Sequence, residues 1–393
     1  MSDRHSPASF QLRTARTSRL APRHLIPTLV FPLLTACGSD GSTDSGPRPS
    51  RGVAVLDGFI QPSITLLADS GTTSQRIVLG APNEFDGGSL DVRNDSAVAA
   101  SSRGAGDVLY IADLGSAVVR RVQMPAQSNP ARARLLRGTG GRALIGVPLR
   151  DSSAVALASV SASGQATLEI LRDLGSCPTD VFQYGNELWV VDANATCRTT
   201  YRAAGPMRLI RIPASGARQI ITLDGLRGSD ASVTIVGDVA YIAAGGDADF
   251  SGFPFTLVTG GAIARVDLRT RTVLGTKAMP TGTYGASARL GADGLLHVTL
   301  FENLSTFTNR VISYTLPELT PSGVRETGLD WRQLRRSATE PLSCSSAVSD
   351  ALGRLHCIQN RTGSATFLLV FAPDGTLVRE VAAGQGGVDL RLR

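Results

Sequence analysis

Residues 108–122, VLYIADLGSAVVRRV, consist of two short apolar segments joined by a polar turn. The first segment recurs, with an aromatic residue or a histidine inside it, as ELWVVDAN (187–194), VAYIAAGG (239–246), LLHVTLFEN (295–303) and RLHCIQN (354–360). A second apolar segment follows each copy, as in MRLIRIP (207–213) and AIARVDL (262–268). Short strands in groups of four, repeating every ~40 to 60 residues, are typical of propeller blades. We therefore predict a β-propeller.

Composition agrees with an all-β fold. The chain has 393 residues, with 42 glycines, 20 prolines and 5% aromatic residues, and no long segment has apolar residues at helical spacing. Such a chain forms short strands joined by turns, and its length suits one large all-β domain.

Segmentation by first strands places blades 1 to 6 near Ser89, Gly141, Cys177, Ser229, Tyr284 and Ser343. The segment GGVDLRLR (386–393) is then left as a first strand, and residues 53–80 contain three further strands. Joining them gives blade 7 and leaves no unpaired end in the ring. We predict an all-β propeller of seven four-stranded blades, closed by pairing of the C-terminal strand with N-terminal strands; six and eight blades are the alternatives.

The phrase LYIADLGSAVVRRV (109–122) resembles the repeats of the YVTN and NHL propeller families. The resemblance implies an architecture and no particular activity, because one propeller fold hosts unrelated functions.

The N-terminus has the layout of an export signal. A basic lead at residues 13–24 precedes a short apolar run, LIPTLVFPLL (25–34), which is shorter than the ~20 apolar residues of a membrane-spanning helix. The tetrapeptide LTAC (34–37) resembles the lipobox of bacterial lipoproteins, which implies lipidation of Cys37. By the same resemblance, Gly38 after that cysteine implies the outer membrane; a plain secretory signal is the alternative.

These features divide the chain into a signal peptide (1–36), a lipidated cysteine with a flexible Gly/Ser/Asp tether (37–52) and the propeller (53–393). Removing residues 1–36, with five arginines and one acid, lowers the formal net charge from +6 to +2. We therefore expect no nucleic-acid partner, because phosphate neutralisation needs clustered Lys and Arg. The expected location is the cell envelope, on the periplasmic or the outer side.

The four remaining cysteines form an even set, as expected for disulfides in an exported protein. Cys177 and Cys197 flank a predicted hairpin turning at residues 184–186, and Cys344 and Cys357 flank another turning at residues 350–353. Antiparallel pairing brings such partners together, so we predict Cys177–Cys197 and Cys344–Cys357.

No catalytic constellation is evident. His297 and His356 occupy the repeat position that Trp189 and Tyr241 fill in other blades, which indicates a structural role. The segment 138–143 (GTGGRA) precedes a strand-like segment, so we interpret it as a turn between blades and not as a phosphate-binding loop. No catalytic or metal-binding residue and no cofactor is predicted.

Two alternatives stay open. Calcium could be held by Asp192, Asp247, Asp249 and Glu302, although loop carboxylates that bind no metal are more common. A propeller hydrolase or lyase resembling gluconolactonases, with a metal in the central channel, could use Asp192, Asn194 and Glu302, but no complete set is matched.

Long loops are the most informative functional feature. In a propeller, the connections between second and third strands emerge on the same face as the connections between blades. On this face, long connections are predicted in blades 3 to 5 at residues 192–206, 244–261 and 301–309, and a further one at residues 328–343. Aromatic residues in polar loops suit recognition of a protein, peptide or glycan; inward-folded clusters are the alternative. The predicted ligand-binding residues are Asp192, Tyr201, Asp249, Phe253, Phe255, Phe301, Glu302, Phe307 and Trp331. The leading hypothesis is a noncatalytic binding or scaffold protein of the cell envelope that engages its ligand at the mouth formed by the long loops of blades 3 to 5.

Overall fold

The structure is a computed structural model. It describes residues 52–393 apart from 59, 70–72, 83, 85–87, 102–105, 139–142, 162–163, 253–254, 304–307, 322–334, 338–339, 342–343 and 362–364. The predicted signal peptide, Cys37 and the tether up to residue 51 lie outside the described residues. Residues 47–393 form a compact unit of their own.

Seven four-stranded antiparallel sheets make up the fold, as predicted. From the innermost strand outward, blade 1 contains Leu90–Arg93, Ser96–Ser101, Val108–Asp113 and Val119–Gln123, and blade 2 contains Arg134–Leu136, Ala143–Leu149, Ala154–Val160 and Ala166–Leu171. Blade 3 contains Pro178–Tyr184, Glu187–Asp192, Met207–Ile212 and Gln219–Leu223, and blade 4 contains Ala231–Val236, Val239–Ala244, Ala262–Asp267 and Thr272–Ala278. Blade 5 contains Tyr284–Leu290, Leu296–Asn303, Thr308–Thr315 and Thr320–Pro321, and blade 6 contains Ser346–Ser349, Leu355–Asn360, Ala365–Phe371 and Leu377–Gln385.

Blade 7 joins the two ends of the described chain. Its innermost strand is Gly387–Leu392, followed outward by Val53–Asp57, Ser63–Leu67 and Thr73–Val78. Val55 lies opposite Leu390 in this pairing. The predicted closure by the C-terminal strand is confirmed.

Smaller elements complete the described fold: a 3-10 helix at Arg150–Ser152, a hairpin of Asp247–Asp249 with Thr256–Thr259, and a pair of Arg335–Ser337 with Glu340–Pro341. No helix among the described residues is long and apolar enough to span a membrane.

Apolar contacts between successive blades hold the ring together. The buried apolar side chains of the described chain group into clusters shared by neighbouring blades, and blade 7 contributes to one with blade 1 and to one with blade 6. The second strands of blades 3 and 4 are buried along most of their length because each sheet is covered on both faces. The outer strand Leu377–Gln385 alternates between half-buried and exposed residues, as expected for a strand packed on one side.

Tight turns fix the register of the inner hairpins. In blade 3 only Gly185 and Asn186 separate the first two strands, and in blade 4 only Gly237 and Asp238 do so. Both glycines have positive φ, 59° and 57°, a conformation that two-residue hairpin turns require and glycine adopts without steric conflict.

Blade 2 begins earlier than the sequence predicted. The segment Arg134–Leu136 pairs with Ala143–Leu149, with Leu135 opposite Ile145. Gly138 therefore lies on the connection inside blade 2. The blade start near Gly141 and the turn between blades at 138–143 were wrong, because a three-residue strand is too short to show alternation.

Both disulfides form as predicted. Cys177 precedes the first strand of blade 3, whereas Cys197 lies on the loop after the second strand, which turns back through Asn194 at a φ of 50°. The bond therefore ties this loop to the base of its own blade. The presence of two disulfides indicates an oxidising compartment.

Candidate functional site: two mouths of the propeller channel

The two faces of the ring differ in their connections. We call the face with the connections between second and third strands and between blades the loop face, represented by residues 193–206. We call the opposite face, with the turns between first and second strands, the turn face, represented by residues 185–186 and 237–238.

A cavity of about 630 Å³ opens on the loop face. Blades 1 to 3 and the connection before blade 4 supply its walls, with Asp107, Asn129, Arg132, Arg150, Tyr201 and Asp230 among the lining residues. Its volume lies within the range of ordinary small-molecule sites. Its wall is mostly polar, which favours a ligand rich in hydrogen-bonding groups.

Two arginines share one carboxylate in this cavity. Arg132 Nη2 lies 2.7 Å from one oxygen of Asp230, and Arg150 Nη2 lies 2.8 Å from the other. Arg132 also donates from Nε to the Ala231 carbonyl oxygen at 3.1 Å. The carboxylate thus fixes two guanidinium groups from different segments of blade 2 against the entrance to blade 4.

Tyr201 stands at the rim of the cavity with 39% of its surface exposed. Asn129 Nδ2 lies 3.3 Å from its hydroxyl oxygen and 3.3 Å from Asp151 Oδ1. The Tyr201 N–H donates to the Thr196 carbonyl oxygen at 3.1 Å, and the Cys197 disulfide anchors the same turn. The ring is therefore held in place while its face is accessible.

The backbone around this rim is strained. Gln127, Asn129 and Tyr201 have φ values of 56°, 51° and 56°, a region that bulky side chains rarely adopt. Such conformations concentrate at functional sites, where the surrounding structure enforces them.

Of the described residues predicted to bind ligand, only Tyr201 lines this cavity. Asp192 is fully buried, accepts a hydrogen bond from the Cys177 N–H at 2.8 Å and pairs with Arg208 at 2.5 Å. Asp249 pairs with Arg202 at 3.2 Å. These carboxylates organise the loops of blades 3 and 4.

The predicted aromatic residues have different surroundings. Phe255 packs edge-on against Phe250, with ring centroids 5.1 Å apart, and Phe250 packs against Tyr284 at 5.6 Å. Phe301 is half-buried in the second strand of blade 5. Phe253, Phe307 and Trp331 lie outside the described residues, as does the side chain of Glu302.

His297 and His356 lie in the second strands of blades 5 and 6. His297 is buried, with Nδ1 2.8 Å from Ser313 Oγ of its own blade and Nε2 2.7 Å from Ser349 Oγ of blade 6. His356 Nε2 lies 3.0 Å from Asp350. These contacts agree with the structural role that the repeat predicted.

No group of three or more His, Cys, Asp or Glu side chains that could hold a metal ion occurs among the described residues. Within the calcium set considered from the sequence, Asp192 pairs with Arg208, and Asp247 and Asp249 pair with Arg202.

Charged residues on the innermost strands join neighbouring blades. The sequence analysis did not predict these contacts. Three carboxylates each accept a hydrogen bond of 2.7 to 2.9 Å from a backbone N–H on the innermost strand of a neighbouring blade; they belong to Asp389, Asp91 and Asp180. The signal was present as acids within short apolar first strands: SLDVR (89–93), PTDVF (178–182) and GVDLRL (387–392).

The channel also contains a half-buried arginine, Arg134, and a buried one, Arg289. Arg134 reaches across to Asp180 with two bonds, from Nε at 2.8 Å and from Nη2 at 2.5 Å, and Arg289 pairs with Asp389. Burial lowers the pKa of Arg289 below its ordinary value although Asp389 opposes this. For Arg134 burial also lowers the pKa, but the attraction of Asp180 outweighs it and raises the pKa.

The ring and its channel define a seven-bladed β-propeller. The fold is similar to that of a protein from Lactobacillus plantarum, with a TM-score of 0.56 and 14% identity over 87% of this chain and 99% of that one. It is also similar to that of the periplasmic gluconolactonase of Pseudomonas aeruginosa, with a TM-score of 0.53 and 14% identity over 86% of this chain and 98% of that one. A third similar structure is hydrazine synthase of Kuenenia stuttgartiensis, with a TM-score of 0.54 and 13% identity over 79% of this chain and 92% of that one. At these identities the likeness shows the fold alone. No protein-family model and no curated protein sequence matches this chain.

Proposed function

We propose that this chain is an exported, lipid-anchored propeller of the cell envelope that binds a glycan at its loop-face cavity without transforming it. The observation that carries the proposal is the exposed ring of Tyr201, held at the rim of a polar cavity of about 630 Å³. A tyrosine ring presents a large apolar face with little conformational entropy to lose. The carboxylates and guanidinium groups behind it suit the hydroxyl groups of a sugar.

The two disulfides support export to an oxidising compartment. The lipobox at residues 34–37 and the Gly/Ser/Asp tether after it support an anchor at Cys37, and Gly38 supports the outer membrane. A flexible tether lets the domain stand clear of the membrane surface. Residues 47–393 are a compact unit and contain every strand of the ring, so this part is expected to fold without the anchor.

A binding screen of residues 47–393 against glycans and peptides tests the ligand class. We expect glycan binding that Tyr201→Ala weakens by about tenfold, which corresponds to losing an aromatic contact of about 1.4 kcal/mol. Phe250→Ala is the matched control, because Phe250 has similar exposure, 38%, on the same face but does not line the cavity. Peptide binding without glycan binding, or equal weakening by both variants, would contradict the proposal.

Two further measurements separate the alternatives. Lactone hydrolysis by the purified domain, abolished by chelation and restored by a divalent cation, would replace the binding hypothesis with the hydrolase. Glycan binding that depends on added calcium would instead assign the ion to the binding site. For the anchor, mass spectrometry of the full-length protein from membranes should show an acylated Cys37, and Cys37→Ser should release it in soluble form.

A further inference from the structure

A second cavity, of about 580 Å³, opens on the turn face. It is lined by the ends of innermost strands and by the turns at Gly185 and Gly237. Arg134 reaches this cavity, whereas Arg132, two positions earlier on the chain, reaches the loop-face cavity. The two cavities are therefore the opposite mouths of one channel, and the proposed glycan site uses only one of them.

Two exposed arginines lie at this second mouth. Arg93 and Arg137 both line the cavity and both are exposed. Neither side chain has an ion pair or hydrogen bond among the described residues, in contrast to Arg134, whose charge is matched by Asp180. The charged residues that line the cavity are Arg93, Arg134, Arg137 and one acid, Asp91, so the described charge of the mouth is positive.

The strand register brings these two arginines to the same level. Asp91 Oδ2 accepts the Leu135 N–H at 2.8 Å across the junction of blades 1 and 2. Arg93 follows Asp91 by two positions, and Arg137 follows Leu135 by two positions. Because side chains alternate along a strand, Arg93 lies on the same side of its strand as Asp91, towards blade 2. Arg137 directly follows the strand Arg134–Leu136 and lines the same cavity as Arg93. Asp91 also lines the cavity; Arg93 attracts its carboxylate, which is engaged in the bond to Leu135.

The wall beside the arginines is apolar. Leu136, Phe182 and Val233 line the cavity with 7% exposure each, and Ile235 is half-buried beside them. Tyr184 also lines the cavity, and its hydroxyl donates a hydrogen bond of 2.7 Å to Asp238. Guanidinium groups bind carboxylate, sulfonate and phosphate oxygens, often through two parallel bonds. An apolar wall next to them favours a ligand that has an apolar body as well.

We propose that the turn face carries a second binding site, for a small organic anion with an aromatic or branched apolar body, in which Arg93 and Arg137 hold the anionic group. The site does not depend on the glycan site of the loop face.

Titration of residues 47–393 with 1-naphthalenesulfonate, followed by calorimetry, tests the proposal. We expect saturable binding that weakens at high salt, because part of the attraction is between charges, and much weaker binding of the neutral analogue 1-naphthalenemethanol. Arg93→Gln and Arg137→Gln should each weaken sulfonate binding by about tenfold, as expected for the loss of a charge-assisted hydrogen bond. Arg120→Gln is the matched control, because Arg120 is exposed on the outer strand of blade 1 and does not line the cavity.

Unchanged sulfonate affinity in the Arg93→Gln, Arg137→Gln double variant, or equal affinity of the wild-type domain for the charged and the neutral probe, would overturn the proposal. Absence of saturable sulfonate binding would overturn it as well. The comparison of the two probes and of two salt concentrations uses the wild-type domain, so it holds even where a variant folds poorly. Tyr201→Ala should leave sulfonate binding unchanged, which separates this site from the glycan site.

Discussion

Replacing Asp180 by alanine tests how firmly the channel residues hold blades 2, 3 and 4 together. The carboxylate is fully buried and accepts bonds from Arg134 Nε and Nη2 of blade 2 and from the Val233 N–H of blade 4. Without it, the hydrogen bonds of the Arg134 side chain to described residues are reduced to one of 3.2 Å, from Nη2 to the Val233 carbonyl oxygen. Removing one partner of a buried ion pair leaves an uncompensated charge, and we expect a loss of about 3–5 kcal/mol in the free energy of unfolding.

Urea unfolding of residues 47–393, followed by circular dichroism, measures this loss. Arg269→Ala is the control, because the Arg269–Asp238 pair is exposed and its atoms are 3.7 Å apart; such pairs contribute at most about 1 kcal/mol. The double variant Arg134→Leu, Asp180→Leu removes both charges and should recover most of the loss. A loss below about 1 kcal/mol for Asp180→Ala, or no recovery in the double variant, would refute the reasoning.

Three further predictions concern stability. Burial raises the pKa of Asp57 from 3.8 to about 6, so the contribution of the protonated carboxyl group to stability is fully present below pH 3.8 and is lost as the pH rises to about 6. In urea unfolding, the free energy of unfolding of Asp57→Asn relative to that of wild type should therefore rise by about 3 kcal/mol across this window. A difference that does not change with pH would contradict the raised pKa. Replacing Cys177 and Cys197 by serine should lower stability by about 2–4 kcal/mol and speed proteolysis within residues 193–206, whereas equal protection would show that the disulfide does not restrain this loop. Leu390→Ala should lower the free energy of unfolding by about 2–5 kcal/mol, because Leu390 is fully buried in the closing strand. The control Leu352→Ala, at a residue that is 70% exposed, should change this free energy by less than about 0.5 kcal/mol. Similar values for the two variants would mean that the closing strand is not tightly packed.

The repeat in the sequence was sufficient to predict the propeller, because it reflects the strands that packing forces to be apolar. The second strands of blades 3 to 6 each contain the large buried residue that the repeat singled out, such as Trp189 and Tyr241. The disulfide pairs followed from the same segmentation. The closing strand 387–392 was also recognisable, since its apolar pattern had no partner elsewhere in the segmentation.

Sequence patterns were less informative about the candidate sites, because the sites depend on contacts between blades. Arg132 and Arg150 have no sequence motif in common, and they meet only because Asp230 arrives from the connection before blade 4. The strand Arg134–Leu136 was too short to be recognised, so its arginine could not be placed in the channel. Asp192 was predicted as a ligand-binding residue from its place before a long loop, but Arg208 of the adjacent strand satisfies its charge.

The pairing of strand 387–392 with strand 53–57 has a consequence for how the protein is made. The innermost strand of blade 7 leaves the ribosome after the strands of all the other blades, so blade 7 and the ring stay open until it has been synthesised. In that interval the main-chain groups of residues 53–57 along one side have no partner, and an extended segment of another polypeptide could occupy them. Covering this edge until the last strand arrives would therefore protect the growing chain from aggregation.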